Sequence, residues 1–310
     1  MNITDSVKKE ILPRETDGVN EKKAYLCALV KCLGSIGISG GKTFLEIESK
    51  HNLPVITAVG LIKELCDVSV EYGSGGGKSF YVRAEGEAAA KIFSLVGEGR
   101  GITDLGDTDG INSRQEAAAY ARGAFLASGS AYIPSVEPAE KSAGYHIEFL
   151  FFGEDAALEF QKLLHRCALS VQTAQKGNYC SVYAKSEEAV SDALVFMGAT
   201  DSMMLVADVS MRRETNNSIN RVTNCSLANM EKSQEAVVRQ LRAINALKES
   251  GEYEKLDDRL KATCEARLAF KEASLEELAA KMGISKSGLN HRLARITALG
   301  ERKNGGREKD

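Results

Sequence analysis

Tyr25-Leu26-Cys27-Ala28-Leu29-Val30-Lys31-Cys32-Leu33-Gly34-Ser35 and Ala121-Arg122-Gly123-Ala124-Phe125-Leu126-Ala127-Ser128-Gly129-Ser130 read as two versions of one element. Both are helical runs rich in small side chains, and both stop at Gly-Ser. The elements after each of these helices repeat as well. Strand-like runs come next, at 43–48 and 145–150, then amphipathic helices near 53–65 and 154–167. Two strands joined by a turn, and a closing helix, complete each copy. Cys66, Val70, Val82 and Gly97 fall against Cys167, Val171, Tyr183 and Gly198 at a constant offset of 101, whereas the Gly-Ser ends are offset by 95. A loop at 132–144 with Pro134 and Pro138 accounts for the difference. The turns, Gly-rich at 73–78 and Lys176-Gly177-Asn178, both suit hairpins. The pattern predicts an α+β domain over 1–205, built from repeats at about 22–97 and 114–198.

Composition bounds the rest. At 310 residues, 43% of them hydrophobic, the chain is long enough for more than one buried core. Seven scattered cysteines with no CxxC pair read as reduced, mostly buried side chains; no zinc site, disulfide frame or cofactor is expected. The polar N-terminus has no apolar signal region, and the apolar stretch at 24–38 is broken by Lys31 and too short for a membrane span. A cytoplasmic, nucleoid-associated protein is expected. The net charge of −3 is unevenly spread, since 1–205 hold 20 basic and 27 acidic side chains and 206–310 hold 20 and 16. Such a C-terminal excess suits phosphate, and would equally suit a solvated basic tail at 301–310.

The C-terminal region is helical, with runs at 229–247 and 256–270 leading into a third segment. There Ser274 and Glu277 form a capping box, Gly283 supplies a left-handed helix end, and Ser285 caps a second helix. Leu289, Leu293 and Ile296 recur on one face of that helix, and small Ala279 lets the two helices cross closely. This predicts an all-α helix-turn-helix domain at 229–300. The opposite face is read as holding Lys286, Ser287, Asn290, Arg292 and Arg295, with Ser285 and His291 beside them, as donors to the phosphates and base edges of double-stranded DNA. A helical hairpin with a solvated face is the other reading. Between the domains, 206–228 is an Arg/Asn-rich linker. Arg212, Arg213, Asn217, Asn220 and Arg221 there are candidate phosphate contacts, against a purely structural joint.

The repeat resembles the LAGLIDADG homing endonuclease fold, in which two such helices pack together at a pseudo-twofold axis. Ala28, Gly34, Gly123, Ala124, Ala127 and Gly129 are the small residues that such a contact needs. The resemblance implies an acid just before each final glycine, so that two carboxylates hold divalent metal at the scissile phosphates. Those positions are Leu33 and Ser128, so no metal site and no enzyme activity is expected. A residual metal-dependent nuclease using Glu46, Glu48 or Glu148, and a protein-interaction scaffold, are the alternatives.

Ser6-Val7-Lys8-Lys9-Glu10, the two Gly-Ser helices, Asn-Arg-x-x-Asn-Cys at Asn220–Cys225 and Ser285-Lys286-Ser287-Gly288-Leu289-Asn290-His291-Arg292 together resemble the WhiA family over nearly the whole chain. That resemblance implies a transcriptional regulator tied to cell division, chromosome segregation or sporulation, binding DNA chiefly through its helix-turn-helix. It also implies that some members act with a small iron-sulfur partner protein. The Gly-rich turn at 73–77 departs from more basic relatives.

Overall fold

The computed structural model describes residues 2–75, 79–97, 108, 110–135 and 144–304. The tip of the Gly-rich turn, Pro138 and the basic tail beyond 304 lie outside the described residues. The chain divides into two compact units, Met1–Glu214 and Thr215–Asp310.

In the first unit, helix α1 (Thr4–Glu10) precedes α2 (Val19–Leu33), whose start is fixed by the Glu21 carboxylate accepting the Gly18 N–H at 2.8 Å. Helix α5 (Arg114–Ser128) starts the second repeat, capped by Ser113, whose Oγ accepts the Glu116 N–H at 3.1 Å. The two helices pack face to face through buried runs, Ala24–Val30 and Ala119–Leu126. Close approach is needed at Gly123, where an added Cβ would meet the Tyr25 carbonyl oxygen at 2.5 Å and the Ala28 Cβ at 2.9 Å. Gly34 and Gly129 serve a different purpose from the one expected. A Cβ on either would strike its own helix's last turn, at Val30 O (2.4 Å) and the Phe125 side chain (2.4 Å), because the chain bends there straight into a strand.

That strand is a correction to the sequence reading. Each repeat has four strands, since the Gly-Ser ends open β1 (Gly34–Ser39) and β5 (Ser130–Tyr132). The first sheet adds β2 (Lys42–Ser49), β3 (Glu71–Gly75) and β4 (Ser79–Glu85) in the order β1-β2-β4-β3. The second adds β6 (His146–Phe152), β7 (Gln172–Lys176) and β8 (Tyr179–Ala184) in the order β5-β6-β8-β7. The short, Gly-rich β1 is mostly exposed, so it lacks the alternating apolar pattern that marks a strand in sequence. Helices α3 (Asn52–Cys66) and α4 (Glu87–Val96) belong to the first repeat, α6 (Glu154–Arg166) and α7 (Glu187–Met197) to the second.

Register sharpens the internal symmetry. Glu46 stands between Ser35 and Arg83, and Glu148 between Ser130 and Tyr183. Tyr183 is therefore the counterpart of Arg83, one residue along from the Val82 that the constant offset assigns to it. Period-2 alternation buries Leu45 and Ile47 on β2 and Ile147, Phe149 and Phe151 on β6, leaving Glu46 and Glu148 on the other face.

Helix α8 runs from Thr200 to Glu249. Its start belongs to the first unit, where Glu10 accepts the backbone N–H groups of Asp201 (3.0 Å) and Ser202 (3.2 Å) and the Ser202 hydroxyl. A carboxylate there satisfies first-turn donors and complements the helix dipole. The Arg/Asn-rich stretch 206–228 is thus helical throughout, not the turn-rich joint that its asparagines suggest. Helix propensity is a weak prior, and the stretch continues a helix already started by Glu10 and buried Val206 and Val209.

In the second unit, the end of α8 packs through Ile244 and Leu247 on α9 (Asp258–Ala269), α10 (Leu275–Lys281) and α11 (Lys286–Asn304). Its core is completed by Leu260, Cys264, Leu278, Ala279, Leu289, Leu293 and Ile296.

Candidate nucleic-acid interface

Helix α10 begins at a complete capping box. Ser274 Oγ accepts the Glu277 N–H at 3.2 Å, and Glu277 accepts the Ser274 N–H at 2.9 Å. Hydrogen bonds to its carboxylate, first from the Ser274 N–H and then from the Ser274 side chain, hold the exposed Glu277 carboxyl below the usual carboxylate range. The helix ends where Gly283 takes φ +64°, and Ile284 N–H closes back on Ala279 O at 3.1 Å. Ala279, buried, lies at the crossing with α11. Ser285 then caps α11, accepting the Gly288 N–H at 3.1 Å. A buried arginine that the sequence reading did not single out supports this turn from α9. Arg267 is 0% exposed and donates from Nη1 to Ala273 O at 2.7 Å, one residue before the cap.

The recognition candidates do not share one face. Ser285, Lys286, Ser287, Asn290 and His291 are exposed, and at about 100° per residue Ser287 and His291 lie opposite the buried Leu289–Leu293–Ile296 stripe. Arg292 is half-buried, about 200° round the helix from Asn290, on the other flank of that stripe. Arg295 is exposed but turns its Nη1 to within 3.8 Å of Asp257, at the rim of a cleft with Leu256 and Leu299. Lys286 pairs with Glu276 at 3.3 Å, both side chains exposed, an arrangement weak enough to exchange for a phosphate. Farther up the chain, Arg212 pairs with Asp208 at 3.0 Å, while Asn217, Asn220 and Arg221 lie exposed on α8.

In the first unit the paired helices end at half-buried Leu33 and Ser128, and Ser128 Oγ donates to Ala124 O at 3.2 Å. Beside Ser128 opens a cleft of about 650 Å³ that is lined by Lys8, Lys9, His51, Asp5 and Ser130. Burial pushes the Lys8 ammonium down from its ordinary pKa, and nearby Asp5 offsets part of this. Two lysines and no pair of carboxylates do not fit a divalent metal. Two of the strand acids, Glu46 and Glu148, are already matched to cations. Glu46 pairs with Arg83 at 3.3 Å, and Arg83 stacks 3.8 Å over the Phe44 ring. Burial alone would raise the Glu148 carboxyl, but bonds from Lys176, Ser181 and Ser130 hold it below the usual range. Glu48 is exposed. Among the described residues no cluster of His, Cys, Asp and Glu could hold a metal ion, and no helix is long and apolar enough to cross a membrane.

Sequence comparison matches two segments of the chain. Residues 117–216 match the WhiA LAGLIDADG-like domain, and residues 219–300 match the WhiA C-terminal HTH domain. A relative from Pediococcus pentosaceus, named probable cell division protein WhiA, is 30% identical over 321 residues, covering 97% of this chain and 99% of its own. One of the same name from Staphylococcus epidermidis is 29% identical over 313 residues, covering 97% of each chain. In structure, full-length DUF199/WhiA from Thermatoga maritima superposes with a TM-score of 0.58 at 22% identity, over 96% of this chain and 97% of its own, and so shares the fold. With helices that meet at Gly123, paired four-stranded sheets and a capped helix-turn-helix, the chain belongs to the WhiA family.

Proposed function

We propose that the protein is a DNA-binding transcriptional regulator acting in cell division, with chromosome segregation and sporulation as related settings, and that its first unit is a platform without strand-cleaving chemistry. The observation that carries this reading is the α10–α11 turn. Its caps and the left-handed Gly283 fix a helix whose exposed side offers Lys286, Ser287, Asn290 and His291 to a groove. A duplex major groove admits such a helix, and phosphate contacts from its ends would set the register. Leu33 and Ser128, which bring no carboxylate to the ends of the paired helices, and the lysines of the cleft beside Ser128 support a first unit without strand-cleaving chemistry. The setting is drawn from the relatives' shared name, probable cell division protein.

Fluorescence anisotropy on promoter fragments tests the reading. Lys286→Glu with His291→Glu is expected to weaken binding by tenfold or more at 0.1 M salt. Loss of one permanent cation lowers the slope of log affinity against log salt by about 1. A folded double variant with unchanged affinity and slope would refute DNA contact by α11.

A further inference from the structure

The middle of α8 carries chemistry that the helix-turn-helix reading does not use. From Glu214 to Glu235 every residue is exposed, so among the described residues none buries this part of the helix. Asparagine is a poor helix former, because its amide competes for the backbone. Even so Asn216, Asn217, Asn220 and Asn224 all fall within nine residues. Spaced at i, i+3 and i+7, Asn217, Asn220 and Asn224 share one stripe, with Asn216 at its edge and Arg221 beside it. The opposite side carries Ile219, Val222 and Met230, while Leu227 alone among the exposed large apolar residues from 214 to 235 follows Asn220 and Asn224 on the amide side. Among the described residues these four amides and Arg221 have no hydrogen-bond or ion-pair partner, whereas Asn229 on the next turn is taken by Cys225 Sγ at 3.7 Å.

We propose that the Asn217–Asn220–Asn224 stripe is a second DNA-reading face, lying in the major groove and selecting adenines, with Arg221 on an adjacent phosphate. This rests on the reading that the second unit binds duplex DNA. An asparagine amide presents a donor and an acceptor together, the complement of adenine N7 and N6–H₂ at the major-groove edge. Asn217 and Asn224 stand about 10 Å apart along the helix, close to the rise of about three base pairs. Charge agrees, because Arg212, Arg213 and Arg221 oppose only Glu214 between 211 and 229. An exposed helix with one uncharged reading side and flanking arginines is complementary to a groove walled by phosphates. A protein partner would ask for more apolar anchors on that side than the single Leu227, whose side chain suits a thymine methyl group equally well.

The test is selection of binding sites from a random duplex library by the full chain. Wild type is expected to enrich two blocks of sequence, one of them adenine-containing. Asn217→Ala/Asn220→Ala/Asn224→Ala is expected to lose that block alone. Alanine is the better helix former, so far-UV circular dichroism should show the helix intact. Affinity for the full site should fall at least tenfold, with the salt slope unchanged because no charge is removed. In the wild type, 7-deazaadenine in that block, which lacks N7, should reproduce the loss; in the triple variant it should add none. Enrichment of one block only by the wild type, or of both blocks at equal affinity by the triple variant, overturns the proposal. Failure of the wild-type chain to bind any duplex instead overturns the DNA-binding reading on which it rests.

Discussion

At Asp17 a carboxylate with a side chain 11% exposed meets the Arg122 guanidinium, 7% exposed, at 3.0 Å, and also accepts the Arg14 N–H at 2.8 Å. Burial by itself would raise this carboxyl, but the hydrogen bond from Arg122, the backbone bond and the two positive charges hold it below its ordinary value. A carboxyl depressed on folding stabilises the fold above its unfolded pKa, and that contribution is lost as pH falls through the folded pKa. Asp17→Asn should therefore cost about 3 kcal/mol at pH 7, since it strands a buried guanidinium. It should also flatten the acid limb of stability, as read by urea unfolding at several pH values. An equally steep acid limb in the variant would assign that dependence to other groups. The sequence showed Arg122 only as part of a helix, because its partner lies 105 residues away and nothing local marks the pair. Gly123, its neighbour, was legible as a contact residue. Close helix packing demands the smallest side chain wherever backbones touch, and that demand is visible in the residue type itself. Leu33 and Ser128 drew notice on a different ground, the resemblance to the homing endonuclease fold, which implies an acid at each of those positions.

Elements were legible where their pattern is periodic. Amphipathic α6 and the alternating β6 stand out in sequence, but β1 and β5 do not, the first being mostly exposed and the second only three residues long. The α10–α11 turn was the clearest of all, because its caps and Gly283 are local signals with fixed spacing. What sequence could not supply there is the support from below. Arg267 is among the largest side chains buried below 2% exposure, and its Nη1 bond to Ala273 O ties α9 to the segment that launches α10. Truncation would leave a cavity and take the donor from a half-buried carbonyl, and the cavity is a known source of large losses. Arg267→Ala should thus destabilise the second unit by about 3 kcal/mol, seen as an earlier denaturant midpoint. Loss of less than about 0.5 kcal/mol, the usual range for surface sites, would show that the bond contributes little to the turn.

The molecule as a whole contains two separate cores. One is shared by both sheets and the α2–α5 pair, and the other is built on Ile244, Leu260, Leu289 and their neighbours. Cooperativity depends on shared contacts, so residues in different cores should act on different transitions. The second unit spans residues 215–310, above the size at which a chain needs disulfides or metals to fold alone. Scanning calorimetry of the full chain is expected to show two transitions. Asp17→Asn should lower the one belonging to the first unit and leave the other in place, and Arg267→Ala should do the reverse. Residues 215–310 expressed alone should melt at the temperature of the second transition. A single transition moved by both substitutions would refute the separation, and would mean that α8 passes stability from one core to the other along a stretch where every residue is exposed. That outcome would need a helix of low intrinsic propensity to stay intact under load from both ends. Helices draw most of their stability from a packed face, so α8 should instead be the segment whose amides between 214 and 235 exchange fastest in the free protein.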